Sequence, residues 1–231
     1  MTITLHVHPT VELAERVLLP GDPGRALLLA QALLEEPKMF NHNRGLWGYT
    51  GRAADGEPLT IQSTGMGGPS AAIVIEELVQ LGARRLVRVG SCGALDEGLA
   101  LGDAIVATEA LPDDGTSRAL GAGERVGADA ALMAALLAAA ERDGGARSGA
   151  VVTTDLFYAP DGSHAMPAAG GALAIEMETA TLFQLAALRG LQAGCLLLVS
   201  DLLGARRARI DAEALEEASR RIGRIAAAAL S

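Results

Sequence analysis

Two segments of this chain set an arginine among glycines beside an apolar run, and that combination has a chemical use. One is Gly21-Asp22-Pro23-Gly24-Arg25, which follows Val17-Leu18-Leu19-Pro20; the other is Arg88-Val89-Gly90-Ser91-Cys92-Gly93. Glycine lets backbone N–H groups close around an anion, and arginine adds a planar fork of charged donors that matches an oxyanion. Together they predict a phosphate-type site built from two glycine turns. Neither segment is a P-loop, which ends in Gly-Lys-Ser or Gly-Lys-Thr, and neither is a G-x-G-x-x-G dinucleotide turn. Alone, each also reads as punctuation at a strand end. The rest of the chain weighs against that: it has an acidic pair, Glu176 and Glu178, and Ser200-Asp201 directly after the apolar residues 194–199.

Carboxylates in that setting have two uses. Glu178, where a strand is expected to meet a helix, can accept hydrogen bonds from vicinal hydroxyls of a sugar; its plainer reading is an acid favoured by the dipole of a first helical turn. Glu176 is either a support for it or a solvated side chain. Asp201 either caps a following helix or is a general acid whose pKa desolvation has raised. Phe157 and Tyr158, in a chain with three Phe and two Tyr, either face a base or sugar or pack in the core. Phosphate pocket, sugar-binding carboxylate, acid and aromatic surface together suit glycosyl transfer to phosphate.

The elements that must position these residues alternate between strand and helix. Residues 17–19 read as a strand and 24–36 as a helix. Residues 46–51 and 59–62 read as a hairpin around Asp55-Gly56. Pro69 opens a helix over 70–81 that Gly82 closes. Strands follow at 86–89, 104–107 and 150–153, and Asp129 caps a helix over 130–142. Residues 173–177 form a strand that runs into a helix over 179–188; 194–199 read as a strand buried on both faces, 204–210 as a loop, and 212–229 as the last helix. This predicts an α/β protein with a mixed, mostly parallel central sheet flanked by helices. Ligands of such sheets bind at the carboxyl ends of strands. Gly21, Gly90-Ser91, Asp155-Leu156-Phe157-Tyr158, Glu178 and Asp201 all fall there, on five strands, which points to an enzyme.

Composition narrows the classes. The 231 residues are 50% hydrophobic, enough for one substantial core, and the length fits a single domain over 1–231. A net charge of −9 argues against a nucleic-acid partner. The N-terminal residues lack a basic segment followed by a long apolar stretch, and no run nears the ~18 apolar residues of a membrane span, so a cytoplasmic location is expected. Two cysteines, Cys92 and Cys195, are too few for a disulfide framework or metal site and read as reduced core residues.

Seven segments carry a resemblance to a known family. They are Val17-Leu18-Leu19-Pro20-Gly21-Asp22-Pro23-Gly24-Arg25-Ala26, Arg44-Gly45-Leu46-Trp47-Gly48-Tyr49-Thr50-Gly51, Ser63-Thr64-Gly65-Met66-Gly67-Gly68-Pro69-Ser70, Arg88-Val89-Gly90-Ser91-Cys92-Gly93-Ala94, Asp155-Leu156-Phe157-Tyr158, Glu176-Met177-Glu178 and Ser200-Asp201. In this order, from near residue 6 to near 201, they resemble the bacterial, hexameric branch of the purine nucleoside phosphorylase and uridine phosphorylase family. The resemblance implies the nucleoside phosphorylase fold and reversible phosphorolysis of a nucleoside. Gly21, Arg25, Arg88 and Ser91 would hold phosphate, and Arg44 would reach the phosphate of a neighbouring subunit. Met66, Met177 and Glu178 would contact ribose, with Glu178 on its hydroxyls, and His6, or His8 one register away, would reach the neighbour's sugar. Phe157 and Ile175 would line the base pocket, and Asp201 would face the purine and protonate N7. Inorganic phosphate would be the co-substrate, with no metal or other cofactor, and the assembly would be a homohexamer of dimers with shared sites.

The base is less sharply implied. Residues 161–173 are short and hold no Gln or Arg to read a pyrimidine, and Asp201 is the purine choice, whereas residues 63–70 and Glu76-Glu77-Leu78 are as similar to the uridine branch. Purine enzymes of this branch place an arginine beyond the aspartate where this chain has Ala214, leaving Arg206, Arg207 and Arg209 as substitutes. Uridine phosphorylase, 5′-methylthioadenosine phosphorylase and a hydrolytic nucleosidase remain the alternatives; three arginines, Arg25, Arg44 and Arg88, argue against the last.

Overall fold

A computed structural model describes residues 4–158, 171–204 and 207–231. Its strands are β1 (Arg16–Leu19), β2 (Glu35–Asn41), β3 (Gly48–Arg52), β4 (Pro58–Gln62), β5 (Arg85–Ala94), β6 (Ala104–Asp113), β7 (Val126–Gly127), β8 (Arg147–Thr154), β9 (Ala174–Glu176), β10 (Gln192–Leu202) and β11 (Ala208–Arg209). Its helices are α1 (Pro23–Leu33), α2 (Gly68–Leu81), α3 (Gly115–Ala119), α4 (Ala130–Glu141), α5 (Thr179–Arg189) and α6 (Ala212–Leu230). Among the described residues no helix is long and apolar enough to cross a membrane.

Period-two alternation along the strands divides the core into two layers. Val17 and Leu19 of β1 and Cys195, Leu197 and Val199 of β10 join the layer containing Val74 and Leu78 of α2 and Phe183 of α5. Leu18, Leu196 and Leu198 join the layer containing Leu29 of α1, Leu136 of α4 and Ile222 and Ile225 of α6. The sheet is thus covered on both faces, as expected.

Its topology positions the site. Strands β4, β1, β5 and β10 form one parallel run, and β6, β8 and β9 another. Antiparallel pairs β10–β6 and β5–β9 join the two runs twice, so β5, β10, β6, β8 and β9 close into a ring. β5 therefore has hydrogen-bonded neighbours along its whole length.

Local signals behave as chemistry dictates. Asp129 accepts the N–H of Leu132 at the start of α4, Pro69 lies in the first turn of α2, and Gly82 closes α2 at φ 115°. Three expectations need correction. The first helix stops at Leu33, and Glu35–Asn41 form an edge strand antiparallel to β3, Glu35 opposite Arg52; Pro37 disfavours helix in the residue before it. The segment from Gly90 to Ala94 is no turn: β5 continues through it, pairing register by register with β10. Residues 208–209, read as loop, form β11 against the end of β10, with Arg209 opposite Asp201.

Candidate active site

Arg88 is the centre of the site, and the strand it stands on explains why it can be. Its Cα lies opposite Leu19 of β1 on one side and Cys195 of β10 on the other. The side chain is buried and splits its fork: Nε donates to Glu176 Oε2 at 2.9 Å, and Nη2 meets Glu178 Oε2 at 2.5 Å. The glycines around it provide clearance. A Cβ on Gly90 would fall 2.7 Å from Arg88 Nη2, and one on Gly21 would fall 3.1 Å from the Gly65 carbonyl and 4.0 Å from Arg88 Nη1. The first arginine–glycine segment thus does turn beside Arg88, while the second is a strand whose glycine admits the guanidinium.

Glu176 is neither solvated nor peripheral. Its carboxylate, with no exposed side-chain surface, accepts Arg88 Nε, the backbone N–H groups of Glu178 and Thr179, and the Thr153 hydroxyl. Glu178 occupies the N-cap position of α5 but makes no capping bond. Its carboxylate instead accepts the Gly67 N–H at 2.5 Å and pairs with Arg88. Burial pushes its pKa up, and the nearby Glu176 charge adds to that, while Arg88 and Gly67 pull the other way. Burial alone would lower the Arg88 guanidinium, but Glu178 and Glu176 outweigh it and raise its pKa. Both carboxylates thus hold Arg88 charged inside the protein.

Arg25 supplies the second cation. Asp22 accepts the Gly24 and Arg25 N–H groups at the start of α1, and Arg25 Nε donates to the Ser219 hydroxyl of α6 at 3.2 Å. Burial lowers the Arg25 pKa, and repulsion from Arg88 lowers it further. Two guanidiniums held near each other against their repulsion are chemically suited to an anion. Gly21 follows the end of β1, and half-buried Ser91 lies within β5, three residues beyond Arg88.

Asp201 lies inside β10 and caps nothing; Asp211 caps α6. The register of β10 on β5 shifts between Val199 and Asp201, and such a bulge re-aims the side chains around it. Ser200 donates to Asp201 Oδ2 at 2.7 Å, and Arg209 Nε lies 3.7 Å from Oδ1. A quarter of the Asp201 side chain stays exposed, so the expected dry strand end is not what forms. Of the three arginines that could assist it, Arg209 is the one beside it; Arg206 lies outside the described residues. Phe157 and Tyr158 are exposed and pack edge to face with each other, 4.9 Å between centroids, rather than into the core. Ile175 stands opposite Gly93 on β9, Met177 is half-buried and Met66 is exposed. Both cysteines are buried and free, and burial pushes Cys195 up to about 12, so it is no thiolate at neutral pH.

His6 and Arg44 are brought together, but away from this cluster. They line one cavity of about 190 Å³ with Leu46, Pro69, Ser70, Ile73 and Val74, and neither Arg88 nor Glu178 is among its walls. Arg44 is exposed in a single turn at residues 43–45, at φ 57°. His8 is exposed, its ring on the Leu5 carbonyl.

Residues 15–231 match the family described as the phosphorylase superfamily, and the chain belongs to it. Over 196 residues it is 40% identical to the DeoD-type purine nucleoside phosphorylase of Geobacillus kaustophilus (strain HTA426), covering 83% of each chain. It is 42% identical over 197 residues to the DeoD-type purine nucleoside phosphorylase of Alkaliphilus metalliredigens (strain QYMF), covering 83% of this chain and 84% of the relative. The corresponding protein of Caldanaerobacter subterraneus subsp. tengcongensis is 40% identical over the same length.

Some partners were given no role from the sequence, although Gly67 lies in one of the resembling segments. The Gly67 N–H and the Thr153 hydroxyl become part of the site only through the fold. Arg209 had a signal, being one of three candidates, but its selection needed the β11 pairing.

Proposed function

We propose that this chain catalyses reversible phosphorolysis of purine ribo- and deoxyribonucleosides to free base and (deoxy)ribose 1-phosphate, in purine salvage. The fork of Arg88 carries the reading: one guanidinium touches the carboxylate suited to ribose hydroxyls and borders the Gly21 loop beside Arg25. Phosphate bound there lies next to the sugar it attacks. Similarity to purine nucleoside phosphorylases along most of the chain favours purine over uridine, methylthioadenosine or simple hydrolysis.

The chemistry follows from that placement. Ribose hydroxyls bind Glu178, with Met177 and Met66 against the sugar, and the base sits at Ile175 and Phe157. As the bond from C1′ to N9 breaks, the sugar becomes oxocarbenium-like and the base takes the electron pair. Asp201 delivers a proton to N7, and a phosphate oxygen held by Arg25, Arg88, Gly21 and Ser91 bonds to C1′. Arg209 is placed to stabilise the carboxylate that proton transfer leaves. Fixed charges do this work without a cofactor beyond inorganic phosphate.

Phosphate dependence tests the reading. Release of hypoxanthine from inosine should require phosphate and yield ribose 1-phosphate; equal rates in phosphate-free buffer would assign the chain to the hydrolases.

The site is read as shared within a homo-oligomer, a hexamer of dimers in the cytoplasm. Supporting this, His6 and Arg44 line a cavity apart from Arg88, beside exposed Leu5, Trp47 and Ile73. Arg44→Ala should fold normally but bind phosphate weakly, by about 10- to 100-fold for one charge-assisted contact. Mixed by dissociation and reassembly with Arg25→Ala, it should regain activity, because some pairs then hold one site with both arginines. No recovery in demonstrably mixed oligomers would place Arg44 outside the neighbour's site.

A further inference from the structure

Glu77, on α2, has no part in the chemistry above, yet its carboxylate is among the most heavily engaged in the molecule. It is buried, and it accepts three successive backbone N–H groups: Leu5 at 3.2 Å, His6 at 2.9 Å and Val7 at 2.7 Å. It also meets His6 Nδ1 at 2.7 Å. Burial pushes the Glu77 carboxyl up, but these donors, from Val7 and His6 above all, outweigh it and hold the pKa below the ordinary value, so Glu77 is ionised at neutral pH. An ionised carboxylate only accepts hydrogen bonds, so His6 Nδ1 must carry the proton. Among the described residues Nε2 has no protein partner, and the ring lines the cavity that holds Arg44. Asn43 Nδ2 donates to the His6 carbonyl at 2.9 Å, which ties the histidine to the turn carrying Arg44.

We propose that Glu77 is a positioning residue of the nucleoside site: it locks His6 in the Nδ1–H tautomer and aims Nε2, as a hydrogen-bond acceptor, at a hydroxyl of the sugar bound by a second copy of the chain. The proposal rests on the shared-site reading above. The hydroxyl follows by elimination. Glu178 takes the vicinal pair and phosphate occupies the C1′ side, which leaves the 5′ hydroxyl, a donor that a lone-pair nitrogen matches and a second N–H would not.

Two measurements test it, and the first needs no turnover. In 15N-histidine-labelled protein at neutral pH, the His6 resonances, assigned by their loss in His6→Gln, should show protonated Nδ1 and lone-pair Nε2. In Glu77→Gln, which replaces one acceptor oxygen with a donor, the ring should shift towards the other tautomer. Protonated Nε2 in the wild type, or a tautomer indifferent to Glu77, overturns the proposal whatever the enzyme's substrate. The second is kinetic. Glu77→Gln should lower kcat/KM for inosine by about 2- to 12-fold, the range of one net hydrogen bond, leave 5′-deoxyinosine within about twofold and leave KM for phosphate unchanged. In a His6→Ala background it should cost nothing further, since a residue that acts through His6 is non-additive with it. Equal losses on both nucleosides, or losses that add to those of His6→Ala, would make Glu77 a structural anchor only. If Glu77→Gln does not fold, Glu77→Asp, with its carboxylate drawn back by one methylene, is read in the same way. A wild type that fails to use phosphate but shows the Nδ1–H tautomer would refute the phosphorylase reading and leave the role of Glu77 on the ring intact.

Discussion

Asp201→Asn is expected to lower kcat for inosine by about 10²–10⁴-fold, the usual worth of a positioned proton donor, with KM for phosphate almost unchanged. Asparagine keeps the shape and one hydrogen-bond donor but has no proton to transfer. The local geometry gives the substitution little else to disturb. Asp201 is a quarter exposed, its partners are a neighbouring serine hydroxyl and the exposed Arg209, and α6 has its own cap in Asp211. The control is a nucleoside whose base leaves without protonation. 7-Methylguanosine should be cleaved at close to the wild-type rate, and an equal loss on both substrates would show that Asp201 only shapes the bulge. Arg209→Ala should give a smaller loss on inosine, again sparing 7-methylguanosine.

Arg88→Ala should damage both stability and phosphate binding. Removing the guanidinium leaves Glu176 and Glu178 buried side by side without their cation. Breaking a buried pair by deleting one partner costs about 3–5 kcal/mol, which in a chain of this length corresponds to a fall in Tm of roughly 6–20 °C. The deficit should narrow as pH falls. An unpaired buried carboxylate has a higher pKa folded than unfolded, so the folded state binds more protons and gains stability in acid. Thermal unfolding of wild type and variant across pH checks this, and an unchanged Tm would mean that water reaches the pair. Arg88→Lys should restore part of the stability but little phosphate affinity, because one ammonium cannot reproduce a fork directed at two carboxylates and an anion.

What could be read in advance was whatever local chemistry decides. Asp129 and Gly82 mark helix ends because a side-chain oxygen and a left-handed residue satisfy backbone groups wherever they occur. Residues 194–199 read as a buried strand because nothing polar interrupts them. Gly90 misled for a physical reason: a glycine that turns the chain and a glycine that clears space for a guanidinium look alike until the partner strand is known. Glu176 was undecided because its burial depends on Thr153, 23 positions away, and on Arg88, 88 positions away. Arg209 could be chosen over its neighbours only once β11 had paired with β10. Glu77 lay in a segment marked by resemblance, but nothing in the sequence gave it a role, since its ligands are the His6 ring and backbone N–H groups 70 to 72 positions away.

The closed ring of strands has a bearing on how such a protein can change. Arg88 stands on β5, which is bonded on both sides, and its carboxylates are set by β9 and the start of α5. Mutations there strike the scaffold and the chemistry together, so that part of the molecule is hard to vary. Phe157, Tyr158 and Arg209 are exposed at strand ends and on a two-residue edge strand, where substitutions leave the core intact. If the base is held at that rim as proposed, a lineage could exchange the base it accepts while the residues around Arg88 stay fixed, and directed evolution aimed at new nucleobases would find its tolerant positions there.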